Sequence, residues 1–195
     1  MSVNLKKGQK VDLTKGNTGL RRVVVGLGWD AAPTKGGLFS SRSQEIDCDA
    51  SAIICTGGKL LSSKDVVYYN NLSHSSGCVT HQGDNLTGDG DGDDEQIIVN
   101  LSQMPASYDK IVFVVTIYQA NERRQNFGMI KNAFIRIVDA DTNTELCKFD
   151  LSEDYSGMTA MVFGEIYRRD NDWKFNAIGQ GTTDNSIGEM SKRFQ

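Results

Sequence analysis

Between residues 83 and 96 the chain reads GDNLTGDGDGDDEQ, which places Asp84, Asp89, Asp91, Asp93, Asp94 and Glu95 within twelve residues and no basic residue among them. Two carboxylates ~6 Å apart repel by roughly 0.7 kcal/mol in bulk water, and by more in less polar surroundings. Such a run needs either a counter-cation or full solvation. Asp89, Asp91 and Asp93 are spaced by two, so an extended backbone sets them on one face, and Asp94 and Glu95 continue the series on both faces. Gly88, Gly90 and Gly92 alternate with them, and glycine's access to positive φ lets the backbone curl and aim carboxylates and carbonyls at one point. Donors that are all oxygen, with no His or Cys among them, suit a hard cation with a large and flexible coordination shell. Ca²⁺ fits that description best.

Neither of two familiar calcium motifs accounts for the run. An EF-hand loop begun at Asp89 would put Asp94 at the position reserved for glycine and Asn100 where the bidentate Glu belongs. A glycine-Asp β-roll needs tandem copies, and the chain has one. The plain alternative is a solvated acidic turn. Sandwich folds gather loops at one end, so acids near other strand ends are candidate ligands too. Asp47 and Asp49 are two apart, and Asp30 follows Gly28-Trp29; an outward strand face and a turn acid explain them equally well.

The elements that must position these acids are short strands. Runs rich in β-branched residues cover positions 22–27, 45–50, 65–69, 96–100, 110–118, 133–138, 145–149, 161–167 and 173–178, several alternating apolar with polar as half-buried strands do. The run 110–118 is apolar almost throughout, which predicts a central strand covered on both faces. Polar turns at 139–144 and 169–172 predict hairpins instead of crossover helices. Helical signals are limited to a turn near 125–130 and a segment near 185–194. The expected fold is all-β, an antiparallel β-sandwich with metal-binding loops at one end and few short helices, in a single domain over residues 1–195.

Composition narrows the function. The 195 residues carry a net charge of -4 and no basic stripe, which argues against a nucleic-acid partner. The N-terminal sequence has no apolar signal region and no window approaches a membrane span, so a cytoplasmic, soluble protein is expected. Three sequons, beginning at Asn71, Asn85 and Asn100, would then go unused, and Cys48, Cys55, Cys78 and Cys147 would be reduced core residues. His74, Cys78 and His81 offer two imidazoles and a thiol to a soft metal, although a polar loop suits that Ser-rich stretch better. Arg123 and Arg124 could meet an anion or an acidic partner. No nucleophile elbow, P-loop or dinucleotide fingerprint is present, so no enzyme is expected; the alternative is a metal-dependent hydrolase on the acidic run.

The run from Gly83 to Gln96, together with Gly28-Trp29-Asp30, Asp47-Cys48-Asp49-Ala50-Ser51, Phe127-Gly128, Tyr167-Arg168 and Trp173-Lys174-Phe175, resembles the TerD family of bacterial tellurite-resistance and stress-response proteins. The resemblance spans nearly the whole chain. It implies a calcium-binding β-sandwich, with Asn85, Thr87 and Gly88 joining the acids around the metal. It further implies a cytosolic protein recruited to the inner face of the membrane by partners of the same resistance system, some of them membrane-bound. Family resemblance extends to slime-mould proteins described as cAMP-binding, which adds a nucleotide to the alternatives. The chain departs from the family's usual pattern at Leu86, commonly Arg, at Asp89 and Asp91, commonly Glu, and at Cys48, commonly Leu.

Overall fold

The computed structural model describes residues 2–31, 46–84 and 92–195. Twelve strands are formed: β1 (Val3–Leu5), β2 (Lys10–Asp12), β3 (Arg22–Ala31), β4 (Cys48–Cys55), β5 (Val66–Val67), β6 (Val79–Asp84), β7 (Glu95–Asn100), β8 (Lys110–Ile117), β9 (Ile130–Asp139), β10 (Thr144–Asp150), β11 (Ala160–Arg169) and β12 (Asp172–Thr182). The helices α1 (Ala120–Arg123) and α2 (Ile187–Lys192) are short. One sheet runs β1-β10-β9-β3-β7-β6 and the other β2-β12-β11-β8-β4-β5. All pairings are antiparallel except β1 with β10, where three residues lie parallel along the sheet edge and cover it.

The all-β sandwich expected from the alternating runs is the fold observed. β8 lies between β4 and β11 and is buried on both faces. Its Ile111, Phe113, Val115 and Ile117 enter the core between the sheets. Val112 and Val114 enter a second, smaller core with Ile53, Val162 and Met190. That second core exists because α2 crosses the outer face of the sheet. Ser186 caps the helix by accepting from Glu189 N, and Leu60 N donates to the Phe194 carbonyl at 2.6 Å.

Several boundaries differ from the sequence reading. The strand expected at 45–50 begins at Cys48 and continues to Cys55, because Ala52, Ile53, Ile54 and Cys55 are fully buried between neighbouring strands. The strand expected at 65–69 shrinks to Val66–Val67, since Tyr68 turns back to bridge Asn71. The strands β1, β2 and β6 were not expected. β1 and β2 are three residues long, and β6 begins within the Ser- and His-containing stretch that reads as a loop.

If the second core is integral to stability, Met190→Ala should cost about 2–5 kcal/mol, the range for emptying a fully buried aliphatic site. Denaturant unfolding of the intact chain checks this. A midpoint unchanged from the parent would show that α2 is docked without contributing.

Candidate functional site

The acidic run meets the fold across β3. Gly26 and Gly28 leave no space for side chains: a Cβ on Gly26 would stand 2.2 Å from Asp93 Cγ, and one on Gly28 2.4 Å from the Phe134 ring. This close approach lets residues 92–95 lie against the strand. Asp94 N donates to the Leu27 carbonyl at 2.8 Å, and Trp29 N donates to Asp94 Oδ2 at 2.6 Å.

Once laid down, the acids face different ways. Asp93 lies over Gly26 on the face of the sheet away from the main core and is buried there, and its carboxylate takes a two-pronged pair from Arg136 of β9, Nε to Oδ1 at 2.7 Å and Nη2 to Oδ2 at 3.1 Å. Gln96 Nε2 donates to the same Oδ2 at 3.0 Å. Glu95 points inward, where its Oε2 accepts the N–H of Ala50 on β4 and so ties one sheet to the other. His81 Nε2 lies 3.5 Å from that oxygen, while His81 Nδ1 accepts the Gly83 N–H at 3.0 Å, which leaves the proton of the neutral ring on Nε2.

Asp94 is left at the mouth of a cleft it lines with Trp29, Asp30, Gly92, Asn132 and Asp150. Burial pushes its pKa up; the Trp29 N–H opposes this, and the charges of Asp30 and Asp93 add to the rise. Asp150 is paired with Lys148 at 3.0 Å, and Asp30 accepts from the Asn132 amide at 2.7 Å. Among the described residues neither Asp94 nor Asp30 has a cationic partner.

The other expected ligands are distributed around the same end. Asp47 lies 3.6 Å from Arg123, and Asp49 lines a separate depression with Tyr69, Thr116 and Tyr118. Between the two groups sits Cys48, whose thiol is raised well above its ordinary value by burial first and then by Asp49, Glu95, Asp47 and Asp94. Asp84 ends β6 opposite Glu95. Asn85, Thr87, Gly88, Asp89 and Asp91 lie outside the described residues. Among the described residues no three His, Cys, Asp or Glu side chains form a cluster able to hold a metal ion.

The His-Cys stretch is not a soft-metal site among these residues, because each group faces its own partner. His74 is buried with Nε2 3.1 Å from Asp65 Oδ1 and Nδ1 2.8 Å from Ser76 Oγ, whereas Cys78 Sγ lies 3.3 Å from the Gln103 carbonyl. Arg123, a candidate for an external anion, is taken up by Asp47 and by the Tyr118 ring, 5.1 Å from its guanidinium carbon. Sequence reasoning missed Arg136, a lone basic residue in an alternating strand. It also missed that Gly26 and Gly28, two glycines within an apolar strand, mark where another backbone approaches.

A family model for the TerD domain matches residues 1–194. The chain belongs to the TerD family. It is 47% identical over 198 residues to Stress response protein SCP2 of Bacillus subtilis (strain 168), with all of both chains covered. It is 50% identical over 182 residues to Tellurium resistance protein TerD of Serratia marcescens, covering 93% of this chain and 91% of that one. General stress protein 16U of Bacillus subtilis (strain 168) is 52% identical over 182 residues, with the same coverage. A solved homologue of telluride resistance protein (TerD) from Streptomyces coelicolor A3(2) shares the fold at a TM-score of 0.64 and 20% identity, covering 90% of this chain and 98% of that one.

In this TerD-family chain the raised pKa of Asp94 has a definite sign. The folded protein keeps a proton that the unfolded chain has already released, so stability is fully present below the ordinary Asp value and declines as pH rises through the raised one. In chelator-treated protein, Asp94→Asn should remove that decline and raise the melting temperature at neutral pH, since the amide oxygen can still accept the Trp29 N–H. A lower melting temperature than the parent's would show that the carboxylate is paired in the folded state.

Proposed function

We propose that the chain is a calcium-binding stress-response protein that serves as a Ca²⁺-dependent interaction module for protein partners of a resistance system, some of them membrane-associated, and that it acts in the cytoplasm without catalysing a reaction. The family and the names of its relatives support the stress and tellurium-resistance role. No helix among the described residues is long and apolar enough to cross a membrane, so attachment to one would run through a partner.

One observation carries the calcium reading: Asp94 and Asp30 line a cleft in which, among the described residues, neither has an ion-pair partner, the lysine there, Lys148, being paired with Asp150, and the pKa of Asp94 is already pushed up by burial and by neighbouring negative charge. The donor set fits the ion, since carboxylates are hard oxygen ligands. Among the described residues Asp30 and Asp94 would hold Ca²⁺; Asn85, Thr87, Gly88, Asp89 and Asp91, the further ligands expected from the sequence, lie outside them. The ion supplies counter-charge and order at that end of the sandwich. Asp93 and Glu95 contribute from behind by fixing the run to β9 and β4. The two apolar cores form from protein groups alone, so removal of calcium should leave the sandwich folded while it loses its partner surface.

Calorimetric titration of chelator-treated protein with Ca²⁺, in excess Mg²⁺, tests this. Binding in the micromolar range or tighter is expected, and a hundredfold excess over the dissociation constant should add about 2.7 kcal/mol of stability. Asp94→Asn combined with Asp30→Asn should weaken binding at least about tenfold, or 1.4 kcal/mol. Absence of heat, with no change in melting temperature, would sink the calcium reading. Capture of partners from a membrane extract should be lost with chelator; capture that persists would separate the interaction from the metal.

A further inference from the structure

We propose that the end of the sandwich opposite the acidic run binds inorganic hydrogenphosphate, on a site built from Arg168 and Trp173. The register sets the distance from the calcium end. Arg168 pairs with Trp173 at the β11–β12 hairpin, and its neighbour Tyr167 pairs with Lys110 at the start of β8. The acidic run lies against Gly26, Leu27 and Trp29 of β3, whereas the other end of the β3–β7 ladder, Arg22 with Asn100, adjoins Leu101, whose carbonyl Trp173 meets.

Trp173 is a fixed platform, 4% exposed, with its indole N–H donating to the Leu101 carbonyl at 3.1 Å. The Arg168 guanidinium lies over it, 4.6 Å from the ring centroid. Stacking holds the planar group in one orientation and leaves its edge N–H groups free to meet a ligand. One of them, on Nη2, donates to the Met104 carbonyl at 3.0 Å. Arg22, Arg123, Arg136, Arg169 and Arg193 each sit against a carboxylate, and Arg168 has no such partner among the described residues. A half-buried guanidinium with donors to spare is matched by an oxyanion.

The cleft beside Arg168, about 470 Å³, is also lined by Thr18, Ser102, Asn171 and Asp172. Asp170 and Asn171 take positive φ, 54° and 67°, the tight turn that brings Asn171 and Asp172 to the cleft. Asp172 decides the ligand. It accepts from Thr14 Oγ1 at 3.0 Å, and Thr14 in turn accepts the Trp173 N–H at 2.8 Å, so the carboxylate is held in the wall of the site. An anion entering beside it must bring a proton to donate. Hydrogenphosphate carries one near neutral pH and can accept from Arg168 while donating to Asp172. Sulfate has no such proton, and a phosphate monoester, with a second pKa of about 6, has mostly lost its own.

The test uses Trp29→Phe protein, in which Trp173 is the one remaining tryptophan. Its emission is followed while phosphate, sulfate or methyl phosphate is added near neutral pH at constant ionic strength, with calorimetry on the unsubstituted chain. Phosphate should saturate the signal, with sulfate and methyl phosphate each at least about tenfold weaker, or 1.4 kcal/mol. Arg168→Lys, which replaces a fork by a point charge, should weaken phosphate about tenfold or more. Asp172→Asn keeps an acceptor for Thr14 and should abolish the preference, raising sulfate to the level of phosphate; it carries the test if Arg168→Lys does not fold. A response that fails to saturate overturns the proposal. So does equal binding of all three anions that ignores both substitutions, which would mean an adventitious ion only.

Discussion

The ion pair between Asp93 and Arg136 is the constraint on which the acidic end depends. Asp93 has a side chain 1% exposed, and leaving it there without the guanidinium would cost about 3–5 kcal/mol, the usual penalty for orphaning a buried charge. The pair forms only because Gly26 has no Cβ, so a backbone vacancy on β3 and a side chain on β9 together define where residue 93 must lie. With residue 93 fixed against Gly26 and Arg136, the chain trace takes Asp94 to the cleft and Glu95 toward the other sheet. The segment that leads into β7 thus splits one run of negative charge into an anchor against Arg136, a ligand candidate at the cleft and an inter-sheet bridge.

That division explains how much of the site was legible in the sequence. Composition and spacing announce that Asp93, Asp94 and Glu95 carry too much like charge for an ordinary turn, and the oxygen-only donor set points to a hard cation. Spacing does not say which acids are compensated from elsewhere in the chain. Arg136 is 43 residues from Asp93 in sequence, and Ala50 is 45 from Glu95; neither position has a local pattern that marks it. His81 was legible as a polar residue in a loop, yet it sits buried against Glu95 because β6 pairs with β7 to extend the sheet.

The fold was read more readily, since its dominant signal is local. Alternation over five or more residues, as in 96–100 and 145–149, survives into the strands β7 and β10 with small changes at the ends. Edge pieces such as Val3–Leu5 are too short to show a period, and tertiary pairing decides them. β4 shows the opposite failure. Its second half is uniformly buried, so the alternation that locates a half-exposed strand stops at the point where the strand is most securely placed.

The same anatomy bears on what a cation at this end can do. A ligand shifts an equilibrium only by its differential affinity for two states, so calcium acts as a switch only if the protein persists without it. Glu95 bonds to Ala50, and Asp93 to Arg136, through protein groups alone, and both lie behind the open face of Asp94. The inner layer is therefore complete before any metal arrives, and the outer layer is the one that carries repulsion between Asp30 and Asp94. On the proposed calcium reading, binding energy spent on that outer layer would change the surface shown to a partner and leave the sandwich beneath it unaltered. On that reading an acidic end built in two layers, one neutralised within the fold and one whose carboxylates repel each other, would separate stability from response.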